Sequence, residues 1–190
     1  LPPNYFYHQL PNGIEMVGQY MPSLSSITLG FQLDAAVINE PEDKVGLAHL
    51  FEYMLFQGTK QKDARALNEA FESLGVRKGA STAWEWTRVL AQMVNTKFDA
   101  TLPLMHEILL TPTFPQNELE QMRSIILQEI RRRDDEPMSR IFDLVRASFF
   151  KGSAFARLSL GTTESVQKLQ RRDLRDFWQA RYRPKIGRAS

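Results

Sequence analysis

The chain has 190 residues, 43% of them hydrophobic, with 24 basic and 22 acidic side chains, a net charge of +2 and no cysteine. That length suits one domain with a sizeable core, and the near-even charge gives no field that would gather nucleic acid or an anionic membrane. Disulfides and thiolate metal sites are excluded, and no run approaches the roughly 18 apolar residues of a membrane span.

The first forty residues read as β structure. Tyr5–Leu10 leads into Pro11-Asn12-Gly13, where Asn-Gly is a strong hairpin signal. Strand-like runs follow at Ile14–Met21 and Ile27–Ile38, separated by residues 22–26 and closed by the acidic loop 39–43. The chain opens at Leu1 rather than Met, which reads as removal of an upstream segment. From Val45 to Gln57 the period turns helical, with Gly58 as the stop. Asp63 is a natural N-cap for a second helix to Leu74, ended by Gly75. Residues 76–94 return to strand character, with Trp84 and Trp86 alternating about Glu85 so that both rings share a face. They would serve either as a peptide-contact platform or as packing. Beyond Phe98 the spacing predicts helices at 98–110, 115–135, 138–150, 163–169 and 171–181, punctuated by Pro112, Pro115 and Pro137. Arg131–Arg133 and Arg171-Arg172 are followed at once by acidic residues and read as solvated helix faces. His8 and His106 are isolated. Strands followed by a helical run predict one α+β domain over 1–190.

The helix at 45–57 carries the chemistry. Leu47, Ala48, Leu50, Phe51, Met54, Leu55 and Phe56 make it apolar around most of its girth, as in a buried helix. Yet His49, Glu52 and Tyr53 fall at i, i+3 and i+4 on one face. Buried imidazole and carboxylate need partners, or burial costs several kcal/mol. A metal ion would satisfy them, and so would a hydrogen-bonded polar cluster.

The run Gly46-Leu47-Ala48-His49-Leu50-Phe51-Glu52-Tyr53-Met54-Leu55-Phe56-Gln57-Gly58-Thr59 closely resembles the signature of the M16 (insulinase/pitrilysin) zinc peptidases. Their inverted motif is His-x-x-Glu-His, and only its last His differs here. Residues 54–128 separate Tyr53 from Glu129, the spacing at which that family takes its third ligand from a later helix. Gly79-Ala80-Ser81-Thr82-Ala83-Trp84-Glu85-Trp86-Thr87 is similar to the family's substrate-groove strand.

The resemblance implies a mostly antiparallel sheet with helices packed on one side, as the first domain of a longer chain. It makes His49 and Glu129 zinc ligands, Glu52 the general base and Gly79, Ala80, Ser81, Thr82 and Glu85 substrate-lining positions. Three ligands leave zinc an open position for a water of lowered pKa. Tyr53 replaces one ligand with a phenol of pKa near 10, Met122 replaces a supporting Glu two turns before Glu129, and Gly79 replaces a substrate-pairing Asn. Zinc is therefore expected to be absent or weakly held. The leading expectation is a non-catalytic homologue that pairs with an active subunit, or with itself, and binds peptide. One alternative is an active or weakly active zinc metalloendopeptidase with an altered metal site, using His49, Glu129 and a third ligand such as Tyr53 or Glu52. Another is a structural subunit of a larger complex, as in some respiratory assemblies. An exported or an organellar location suits the family equally. The family's closing strand would begin after Pro184, so Lys185 onward is expected to be altered or truncated.

Overall fold

The computed structural model describes residues 4–182. Strands β1 (Tyr5–Gln9) and β2 (Glu15–Gln19) form an antiparallel hairpin that sets Tyr7 opposite Val17. At its turn, the Ile14 N–H donates to Asn12 Oδ1 at 3.2 Å and Gly13 takes φ of 86°, the left-handed geometry for which the Asn-Gly pair was selected. Strands β3 (Ser26–Leu33), β4 (Arg77–Thr82) and β5 (Thr87–Val94) form a second antiparallel sheet with β5 in the centre. Along β5, Thr87, Val89, Ala91 and Met93 are buried while their neighbours are more exposed. One face of this sheet therefore carries the core.

Two expected strands are shorter than their patterns. The run at 27–38 leaves the ladder after Leu33, and Val37–Asn39 form a 3-10 turn. There the Val37 and Ile38 N–H groups donate to the carbonyls of Ala83 and Trp84, so this segment wraps the far end of the β4–β5 hairpin. The run at 76–94 breaks at Ala83–Trp86, which is the turn of that hairpin, Ala83 N–H donating to Trp86 O at 2.8 Å. Trp84 and Trp86 are thus not on a strand, and they pack separately. Trp84 donates its indole N–H to Arg157 O at 3.1 Å and lies 3.5 Å from the Arg146 guanidinium, whereas Trp86 lies under Arg88.

Seven helices follow among the described residues: α1 (Leu47–Met54), α2 (Ala64–Ser73), α3 (Phe98–Leu110), α4 (Gln116–Asp135), α5 (Pro137–Phe149), α6 (Thr163–Lys168) and α7 (Arg171–Arg181). None is long and apolar enough to cross a membrane. α1 is the central one, shorter at both ends than its apolar run, with Leu47, Ala48, Leu50, Phe51, Met54 and the following Leu55 all buried. The Phe51 ring packs on Phe114, Phe177 and Tyr182 at centroid distances of 5.3, 5.8 and 4.7 Å. The result is an α+β domain whose innermost helix is the one bearing the His49 motif. Expectations for Lys185 onward lie outside the described residues.

Two connections give measurable handles. The Asp63 Oδ1 accepts the Ala66 N–H at 2.8 Å and caps α2. Asp63→Ala is expected to lower stability by about 1 kcal/mol in a denaturant titration. After α1, Thr59 and Lys62 both donate to the buried Glu107 of α3, the Lys62 bond at 2.8 Å. Burial by itself would raise the Glu107 pKa, but these two bonds and the Lys62 charge outweigh it and hold it below 4.5. Its contribution is then complete above about 4.5 and is lost as pH falls through the folded-state value. The unfolding midpoint should decline on acidification more steeply in the parent than in Glu107→Gln, which starts lower at neutral pH.

Candidate functional site

α1 is placed from its N-terminal end. Gly46, at φ of 93°, and Ala48 donate their N–H groups to the carboxylate of Glu40, Ala48 at 2.8 Å. Glu40 is 3% exposed, and burial pushes its pKa up to about 8 despite those two donors. Arg157 donates to the carbonyls of Val37, Ile38 and Glu40, the last at 2.6 Å, and so fixes the loop that carries the cap. Neither Glu40 nor Arg157 was legible beforehand. A Glu six residues ahead of a helix follows no capping pattern, and Arg157 approaches from across the fold.

So anchored, α1 presents His49 and Tyr53 to Glu129 of α4. His49 Nε2 lies 3.0 Å from Glu129 Oε2, and the Tyr53 hydroxyl donates to Glu129 Oε1 at 2.6 Å. Both carboxylate oxygens are taken by α1 side chains. Glu52 Oε2 stands 3.6 Å from His49 Nδ1 on the ring's other edge. The His49 and Tyr53 rings meet edge to face at 5.1 Å. Met122, one helical stretch earlier on α4, has its sulfur 3.5 Å from Gln57 Nε2, and Gln57 also donates to the Tyr53 carbonyl.

The electrostatics follow from this arrangement. Burial would lower the His49 pKa, but the carboxylates of Glu52 and Glu129 on its two edges outweigh that and raise it. Burial opposes ionisation of Glu129 as well, yet His49, Tyr53 and Arg132 together pull its pKa below the usual carboxylate value. For Tyr53 burial and the Glu129 charge act in the same sense and push the phenol up to about 12. The cluster is an imidazole bonded to a carboxylate, closed by a phenol that donates to the same carboxylate.

This donor set does not fit a zinc ion bound as the motif would bind it. Zinc needs deprotonated ligands, and Tyr53, standing where the second His is expected, has been made harder to deprotonate. Among the described residues no three His, Cys, Asp or Glu side chains converge as a metal-holding group. The chemistry available is hydrogen bonding and ion pairing that tie α1 to α4.

The substrate-lining candidates lie mostly on β4, the strand packed beside α1. Gly79, Ala80, Ser81 and Thr82 belong to β4, paired on one side to β5 through Gly79–Leu90 and Ser81–Arg88. Among the described residues, β4's other edge has no strand partner. A Cβ built on Gly79 would meet nothing within 4 Å, so the face of the strand is open at that position. Glu85 is exposed in the β4–β5 turn.

A helix carrying His-x-x-Glu, faced by a glutamate from a long later helix and flanked by an open strand, defines a metallopeptidase-type domain. The family model for insulinase, peptidase family M16, matches residues 16–163, and the chain belongs to that family. An uncharacterized zinc protease of Mycobacterium leprae is 29% identical over 175 residues, covering 92% of this chain and 39% of that protein. The mouse mitochondrial-processing peptidase subunit beta is 29% identical over 178 residues, 93% of this chain and 36% of that one. Among solved structures, a protease from Helicobacter pylori superposes with a TM-score of 0.88 at 22% identity, over 96% of this chain and 44% of that one. A Pseudomonas fluorescens structure described as a peptidase M16 inactive domain gives 0.86 at 20% identity, over 92% and 42%. Those structural likenesses establish the fold. The chain spans less than half the length of each of these relatives.

Proposed function

We propose that this chain is a non-catalytic M16 homologue that holds peptide along β4 and works beside a subunit with an intact His-x-x-Glu-His. The observation that carries the reading is the 2.6 Å bond from the Tyr53 hydroxyl to Glu129. It engages a ligand-position carboxylate with a proton donor where the family places a second metal-binding imidazole. In this reading His49 and Glu129 are relics of the ligand set, Glu52 is an idle base, and zinc is held weakly or not at all.

Two further observations support it. The outer edge of β4 offers backbone N–H and C=O groups to an added strand, the sequence-tolerant way to bind an extended peptide. Met122 brings a thioether against Gln57, where a metal-orienting carboxylate would be expected.

The test uses the full-length protein with unfolded peptides, alone and mixed with an active M16 subunit. Alone, it is expected to bind peptide and leave it intact. Metal-dependent cleavage by the protein alone, lost in Glu52→Gln, would sink the reading.

A further inference from the structure

β4 opens with two adjacent cations, Arg77 and Lys78, whose side chains fall on opposite faces of the strand. Arg77 is exposed. Lys78 is half-buried and turns, with Ala80 and Thr82, to the face on which α1 and α2 pack. Its Nζ rests 4.8 Å from the ring centre of Phe56, just past the end of α1, and 5.5 Å from that of Phe71 in α2. Lys44, Lys62 and Lys168 each hold a carboxylate at 2.6–3.0 Å. Among the described residues Lys78 has no hydrogen-bond or ion-pair partner, and the carboxylate that acts on it, Glu72 of α2, stays beyond ion-pair distance. Burial lowers the Lys78 pKa from 10.5, and Glu72 offsets only part of that.

We propose that Lys78 selects acidic peptides by binding a carboxylate of the peptide held along β4, an inference that rests on the peptide-holding reading above. An ammonium drawn out of water without a counter-ion is costly, and the faces of two Phe rings supply only part of what an anion would. A strand added to the outer edge of β4 sets alternate side chains on the Lys78 face, with Cβ atoms about 4.5–5.5 Å from those directly opposite. An Asp or Glu at such a position brings the missing counter-charge within reach of the ammonium. A peptide's terminal carboxylate does the same where the peptide ends, because Lys78 is the second residue of the strand. A basic residue at that place meets a like charge and is disfavoured.

An inward-pointing lysine on an edge strand can also deter unwanted strand pairing. The two roles differ in sign. A guard weakens the binding of every peptide, whereas an anchor strengthens the binding of acidic ones.

Fluorescence anisotropy of labelled, unfolded peptides with the full-length protein tests this. One neutral peptide is compared with copies that carry a single Glu, Gln or Lys walked along its length, each as the free acid and as the C-terminal amide. At low salt the best-placed Glu peptide is expected to bind about five- to tenfold tighter than its Gln counterpart, an advantage that shrinks as salt rises. In Lys78→Met that ratio should fall to about one, and in Lys78→Glu the Lys peptide should become the favoured one. A gain that follows the free acid rather than the Glu assigns the bound group to the peptide terminus. Glu, Gln and free-acid peptides bound alike by the parent overturn the proposal and leave the peptide-holding reading in place. So does a Glu preference that survives in Lys78→Met, or tighter binding of every peptide by that variant, the mark of an edge guard. Failure of the parent to bind any of the peptides overturns the peptide-holding reading itself, and this proposal with it.

Discussion

Replacing Tyr53 with His is expected to raise zinc affinity about a thousandfold, giving one ion per chain where the proposed reading has the parent bind weakly or not at all. The scaffold for two donors is already in place, with His49 Nε2 and Glu129 Oε2 converging to 3.0 Å. In the proposed reading, what the parent lacks is a third deprotonated donor. A complete protein zinc site is worth on the order of 10–16 kcal/mol, so one ligand in three accounts for several kcal/mol, and each 1.4 kcal/mol is tenfold. The parent phenol also resists conversion, since its pKa is pushed up to about 12. Adding Met122→Glu should contribute a further factor of about 10–100 through ligand orientation, because that side chain already lies beside Gln57 on the same face. Calorimetric titration at neutral pH, with stoichiometry, separates the outcomes. Tight one-to-one binding by the parent would make Tyr53 or Glu52 a ligand and return the altered-site peptidase to the lead. No gain in Tyr53→His would mean that α1 and α4 are too far apart, or too rigidly bonded, to close on an ion.

Much of this was legible in the sequence, and the reasons differ by element. Helices at 98–110 and 171–181 carry strong periodicity and bounded ends, and both match the structure. The cap at Asp63 was equally local. The strands that fell short, at 27–38 and 76–94, have β-type composition throughout. Their ends are set by the backbone hydrogen bonds that Val37 and Ile38 donate to the carbonyls of Ala83 and Trp84, a pairing no local pattern encodes. At the site, the motif singled out His49, Glu52, Tyr53, Met122 and Glu129, and all five lie at the facing sides of α1 and α4. The sequence left a metal ion and a polar cluster both open as ways to satisfy them, and the Tyr53 hydroxyl bonded to Glu129 is the observation on which the proposed non-catalytic reading rests. Glu40 stayed hidden because its role depends on a loop folding back over the start of α1.

The placement of α1 also rests on two glycines pressed together, and Gly161→Ala is expected to destabilise the fold by about 3 kcal/mol or more. Gly161 has φ of 75°, a conformation that costs any residue with a Cβ about 1–2 kcal/mol. A Cβ there would also stand 2.5 Å from the Val45 carbonyl oxygen and 3.0 Å from the Gly46 Cα. Those are backbone atoms, and they cannot swing aside as a side-chain tip would. Gly46 is the residue that donates to Glu40 and opens α1, and Ser165 reinforces the contact by donating to Val45 O at 2.7 Å. Gly75 provides the control: its φ is 66°, but a Cβ would meet nothing within 4 Å. Gly75→Ala should therefore lose only the conformational component, about 1 kcal/mol. Denaturant unfolding of the two variants isolates the clash as their difference. Equal losses would show that the start of α1 can move away from the loop before α6. A larger loss in Gly161→Ala, accompanied by weaker coupling of His49 and Tyr53 to Glu129, would show that this apposition holds the cluster in register.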